Sequence, residues 1–238
     1  MSWVRPTLPN GRGSDWSMLC FRLAIYCSVV PTAKTKSLYS VSPRVAMTQR
    51  WVATLKEKTG RSLDEWLKLV KKDGPTGAHS EKERRAWLKS KYGLGTPTAA
   101  SIAERAAGKG WEMDDPEAYL RAAEQYVEVM FVGRRAAQPI YDALLKLALG
   151  LDEEVKACPC KTIVPLYRKH VFAQLKPASW NRIDLGFALG ARPAEGRLMD
   201  TGGFAKKDRI THRIPISSLT EIDDEVKQWL RIAFEEDR

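Results

Sequence analysis

The chain has 238 residues, 44% of them hydrophobic and 9% aromatic, and a net charge of +10. That apolar content suffices for one or two buried cores, which excludes a wholly disordered chain. No run reaches the roughly 18 apolar residues of a bilayer-spanning helix, and four cysteines are too few for a disulfide-built scaffold. These features fit a basic cytoplasmic protein with no membrane partner.

The charge is uneven. Residues 1–46 hold six basic residues and one acidic residue, and Pro6, Pro9, Gly11, Gly13, Pro31 and Pro43 break any period. The one apolar run, Met18 to Val30, imitates the hydrophobic region of a signal peptide. Arg22 interrupts it, and only a poor cleavage site follows. Met47 stands just before the first convincing helical stretch. Residues 1–46 are therefore expected to be a disordered or mis-annotated extension, with translation starting at Met47.

Residues 47–115 read as a helical domain. The first helix spans about 48–58 and ends at Gly60. Ser62-Leu-Asp-Glu65 is a capping box opening a second helix, which carries Leu63, Trp66, Leu67 and Val70 at helical spacing. A second capping box, Ser80 to Glu83, opens a third helix that runs to Tyr92. Gly93 suits the left-handed position after it. Thr96 is expected to cap a fourth helix, with Pro97 in its first turn, ending near Gly108. Gly93-Leu-Gly95 followed by Ala99 and Ile102 fits a helix-hairpin-helix. In such turns backbone N–H groups meet a phosphate, here Gly93, Gly95 and Thr96 with Lys89 and Lys91 nearby. The same residues also make an ordinary glycine cap, loop and helix start.

This stretch resembles a bacterial family, domain of unknown function 4287, through Thr59-Gly-Arg-Ser-Leu-Asp-Glu-Trp66, Trp87-Leu-Lys89 and Tyr92-Gly-Leu-Gly95. The resemblance covers about residues 47–105. It implies an all-helical module and brings no activity.

Residues 116–238 read as an α+β domain. Asp115-Pro116 starts a helix that runs to about Phe131, and a second helix covers about 134–149. Strand-like runs follow near 154–158, 161–167, 170–176, 181–188 and 209–216. A long loop over 190–208 has room for one short strand at Arg197-Leu-Met. Ser218 or Thr220 is expected to cap a last helix through Trp229 and Phe234. The whole chain is thus α+β: a small helical domain, then an antiparallel sheet of about five strands packed by helices.

This half resembles domain of unknown function 5655 over about residues 120–235. The matching residues include Gly133-Arg-Arg, Pro139-Ile-Tyr-Asp142, Lys176-Pro, Arg182-Ile-Asp-Leu-Gly186, Thr211-His-Arg213 and Trp229-Leu-Arg231. The element order is also similar to the sandwich of frataxin-like small proteins. That likeness is of fold alone, and fold does not confer function.

Residues 156–213 hold twelve basic and four acidic residues, flanked by acidic helices. One sheet face packs under helices, so the other face and its loops are expected to carry much of this charge. The alternative is that the acidic helices neutralise the rims. A pocket of Lys161, Tyr167, Lys176, Arg182, Asp184, His212 and Arg213 is expected to hold an anionic group. Arginine would supply bidentate geometry.

Other chemistry is thinner. Cys158-Pro-Cys160 lacks the paired spacing of a zinc site and reads as structural thiols. Glu154-Val-Lys156 imitates half of a nuclease motif, but the nearest upstream candidate, Asp142, lies on a helix. No metal and no cofactor is expected, and no catalytic residue is assigned. The leading reading is a non-catalytic module for nucleic acid or an anionic small molecule. The alternatives are a small enzyme with an Asp184/His212 acid–base pair and a helper subunit that docks another protein.

Overall fold

A computed structural model of the chain describes residues 37–75 and 81–237. The Met18–Val30 run, Cys20, Cys27 and the capping residue Ser80 lie outside the described residues. Four helices come first: α1 (Pro43–Thr59), α2 (Leu63–Asp73), α3 (Glu81–Tyr92) and α4 (Thr96–Ala106). Two further helices, α5 (Pro116–Met130) and α6 (Gln138–Leu149), lead into six strands: β1 (Lys156–Ala157), β2 (Val164–Tyr167), β3 (Val171–Pro177), β4 (Ile183–Phe187), β5 (Met199–Asp200) and β6 (His212–Ile216). The final helix is α7 (Asp224–Glu236). Every strand pairing is antiparallel, in the order β1-β2-β3-β4-β6-β5. The protein is therefore α+β with a helical N-terminal region. The sixth strand is β5, whose two residues are too few to show an alternation. Among the described residues no helix is long and apolar enough to cross a membrane.

Local chemistry sets most boundaries. The Ser62 hydroxyl accepts the Glu65 amide, and Glu65 Oε2 accepts the Ser62 amide at 2.7 Å, which completes the expected box. Asp115 caps α5 by accepting the Ala118 amide at 2.7 Å. Four helix starts differ from expectation, and one is α6, which begins at Gln138 after a 3-10 turn at Arg135–Ala137 rather than near 134. Helix α1 begins at Pro43 rather than near 48, because Ser42 caps it and proline's fixed φ suits the first turn. Gly95 is the cap of α4, and Thr96 is its first residue. Asp223 caps α7 by accepting the Val226 amide, while Ser218 precedes only a 3-10 turn at Leu219–Glu221.

The described residues hold two large apolar clusters. Leu55, Trp66, Leu88 and Ile102 centre the first, among α1–α4. The second packs Tyr141, Leu144 and Leu230 against Leu166, Leu175, Leu185 and Ile214 of the sheet. A third, smaller cluster of Val45, Tyr119 and Ala123 joins the start of α1 to α5. Residues 37–46, assigned from sequence to an extension, add further contacts. The Ser40 amide donates to the Ala157 carbonyl at 2.9 Å, and the hydroxyls of Tyr39 and Tyr141 meet at 3.2 Å. Arg105, buried on α4, makes a bidentate pair with Asp114 at 2.9 and 2.7 Å. That pair fastens the helical part to the turn before α5.

Candidate functional site

The strand register separates the sheet into two faces. Leu175, Leu185, Phe187, Ile214 and Ile216 point to the face covered by α6 and α7. Gln174, Lys176, Asp184, Gly186 and Arg213 alternate with them and line the opposite face, which no helix covers along its centre. Two hollows occupy that face, of about 580 and about 490 Å³, and they share Lys176, Asp184 and Arg213. The larger is lined by Arg134, Lys161, Lys176, Arg182 and Arg213, with Asp184 its only acidic residue.

Asp184 organises the group. Its side chain is only 9% exposed, yet it sits between two guanidinium groups. Arg213 Nη1 donates to Oδ2 at 2.7 Å, and Arg182 Nε lies 3.0 Å from Oδ1. The second contact is an ion pair without hydrogen-bond alignment, so both of its buried atoms lack a hydrogen-bond partner. A buried carboxylate is tolerated when cations surround it. Each arginine carries five N–H donors and is about two-fifths exposed. Among the described residues, one carboxylate therefore positions two guanidinium groups and leaves most of their donors unused.

Gly186 explains how the hollow is walled. A Cβ there would lie 2.7 Å from Ile210 Cγ2 and 3.0 Å from Gln174 Cγ. The absent side chain lets the loop before β6 cross close over the strand.

Five of the seven expected pocket residues thus gather in one hollow: Lys161, Lys176, Arg182, Asp184 and Arg213. Tyr167 lies apart at the end of β2, past a bulge after Leu166. Its phenol is half-buried, and that burial pushes its pKa up. His212 pairs with Phe187 and so points to the helix-covered face, where it is 2% exposed. Its Nε2 donates to the Arg192 carbonyl at 2.8 Å, because a carbonyl can only accept. Its Nδ1 then accepts from the Thr211 hydroxyl, also at 2.8 Å. His212 and Asp184 are on opposite faces, which rules out the Asp184/His212 acid–base pair.

The remaining arginines of the 156–213 segment behave differently. Arg168 pairs with Glu154, Arg192 with Glu236, Arg197 with Asp223 and Glu225, and Arg209 with Asp237. All but Glu154 of these acids belong to α7 or its ends. These four arginines are thus neutralised by acidic partners, while those around Asp184 share a single carboxylate.

At the α3–α4 corner, Gly93 is left-handed at φ 66 and open space surrounds both Gly93 and Gly95. Lys89 Nζ donates to the Thr96 hydroxyl at 2.8 Å, and Lys91 lies over the rings of Trp87 and Tyr92. Both lysines therefore have local partners. None of these residues lines the sheet's hollows.

Cys158 is buried, and that burial raises its thiol pKa to about 12. Cys160 is raised by burial too, against the neighbouring Arg44. Asp142 lies on α6, away from any strand pairing with Lys156.

Sequence reasoning missed several residues. Val129 and Met130 at the end of α5, and Arg134 in the turn after it, reach the larger hollow. Only the tertiary fold brings that helix end over β3 and β4. A further hollow of about 670 Å³ includes Arg44, Trp51, Arg105, Glu112 and Tyr126. There the Tyr126 hydroxyl donates to Glu112 Oε1 at 2.5 Å. Burial alone would raise the Glu112 pKa, but that bond, with Lys161 and Arg105 near, holds it below the usual range.

No curated protein and no solved structure matches the chain. Residues 47–107 match the model of one family, Domain of unknown function (DUF4287), and residues 127–236 match that of another, Domain of unknown function (DUF5655). Every residue lining the two sheet hollows falls within the second match. The chain thus matches one family model of unknown function in its N-terminal part and a second in its C-terminal part.

Proposed function

We propose that the protein is a non-catalytic binding module whose uncovered sheet face takes a polyanionic ligand, in a cytoplasmic setting. One observation carries this reading: five basic side chains line one hollow that holds a single buried carboxylate. Such a group has a net charge near four, set in a concave surface that focuses its field. Its donors suit phosphate, sulfate or carboxylate oxygens, and the guanidinium groups are held in place before the ligand arrives. Asp184 is committed to two arginines and His212 to the other face, so the hollow supplies charge and donors rather than a free base.

Heparin oligosaccharide, a polyanion without aromatic groups, is a direct probe. It should bind at low salt, as read by calorimetry. Lys161→Ala/Lys176→Ala should weaken it at least tenfold with no loss of thermal stability, because neither lysine has an ion pair to break among the described residues. Unchanged affinity in that variant would overturn the assignment of the site.

A further inference from the structure

Three hollows form one track across the uncovered face. The first two share Lys176, Asp184 and Arg213, and the second shares Asp208 and Arg209 with a third that is lined by Phe204 and Lys207. Phe204 lines the third hollow, and Trp180 stands on the hairpin beside the first without lining it. Trp180 is 65% exposed at the tip of the β3–β4 hairpin, between Ala178 and Arg182, which both line the first hollow. Phe204 is 59% exposed on the loop before β6.

Neither ring sits on a loose segment. The Ala178 amide donates to the Arg182 carbonyl at 2.9 Å, closing the hairpin tip. The 201–208 loop is tied by Asp208 and Lys206 amides on the Gly203 carbonyl and by Thr201 on the Gly203 amide. Gly203 lies so close to the Ile210 carbonyl that a Cβ would stand 2.4 Å from it. Exposing two large rings on tied loops leaves apolar surface in water, which a stacking partner would cover.

We infer that this track takes a single-stranded nucleic acid, its phosphates on the central cations and two of its bases on Trp180 and Phe204. This rests on the proposed polyanion site and deepens it. Cations between separated rings match a sugar–phosphate backbone with bases splayed to either end. A duplex keeps its bases stacked on one another and offers none to the rings. A protein partner would be met by one continuous apolar patch rather than by rings set apart by charge.

The test compares an oligothymidylate of about ten nucleotides, within the usual range of single-strand sites, with an abasic oligomer of equal length, a duplex and heparin. The oligothymidylate should bind at least tenfold more tightly than the abasic oligomer and should quench tryptophan fluorescence. Trp180→Ala and Phe204→Ala should each weaken it about tenfold, as loss of one stacked base does. Both variants should leave heparin binding unchanged. Equal binding of thymidylate, abasic oligomer and duplex, with neither variant having an effect, would overturn the stacking inference while the polyanion site stands. Absence of binding to heparin and oligothymidylate alike would overturn both.

Discussion

Asp184 carries the most consequence of any single residue. Its carboxylate orders Arg182 and Arg213, and in return both arginines make its burial tolerable. Asp184→Ala leaves two guanidinium groups without their anion. Because each is about two-fifths exposed they can partly rehydrate, so the expected cost is about 1–3 kcal/mol rather than the larger loss of a fully buried pair. Urea unfolding would measure it, and an unchanged midpoint would contradict this role. A different test concerns Tyr126. Tyr126→Phe removes the hydroxyl that lowers the Glu112 pKa, so burial should then dominate and the pKa should rise, as read by NMR titration. In the native protein Glu112 favours the folded state above its unfolded pKa, and that contribution is lost as pH falls through its lower folded value. Cys158, with its pKa raised to about 12, should resist alkylation at pH 8 in the folded protein, since the thiolate is the nucleophile. Rapid labelling at that position, mapped by mass spectrometry, would contradict its burial.

Elements show where sequence speaks clearly and where it does not. The Ser62–Glu65 box, the Asp115 cap and the alternation of Arg182-Ile-Asp-Leu-Gly are local signals, and each matches the element found. Ser42-Pro43 is an equally local signal for the start of α1, but it lies inside a stretch broken by prolines and so reads as loop. Asp223 was overshadowed by Ser218 and Thr220, which stand nearer the preceding strand. Strand β5 is below any detectable period. The face of each strand residue is partly legible: a period of two already puts His212 and Arg213 on opposite sides. What it cannot say is which side the helices cover, and that decides which of the two meets Asp184. Two element-level outcomes follow. A chain lacking residues 37–46 loses Val45, the Tyr39–Tyr141 contact and the α1 cap, and should melt several degrees lower by calorimetry. Gly203→Ala places a methyl group against the Ile210 carbonyl and should destabilise by about 1–3 kcal/mol, whereas an unaffected melting temperature would show that the loop yields.

Across the whole molecule, the net charge of +10 is a poor guide until it is divided by place. Acidic residues of α7 and its ends take up arginines at the rims, and the helical part spends Arg105 on Asp114. What remains concentrated is the centre of the uncovered sheet face. Sequence could show that residues 156–213 are basic. It could not separate the arginines that meet α7 from those that gather around Asp184, because both sets come from the same strands and loops.

The dependence of oligothymidylate binding on salt tests this account most directly. Each neutralised phosphate releases counterions, so log affinity should fall against log salt with a slope of about −0.7 per contact on a single strand. About four uncompensated charges predict a slope of roughly −3 for the native protein and about half that for Lys161→Ala/Lys176→Ala. A slope near zero, or one that the double variant leaves unchanged, would contradict the claim that the uncovered sheet face is a polyanion site.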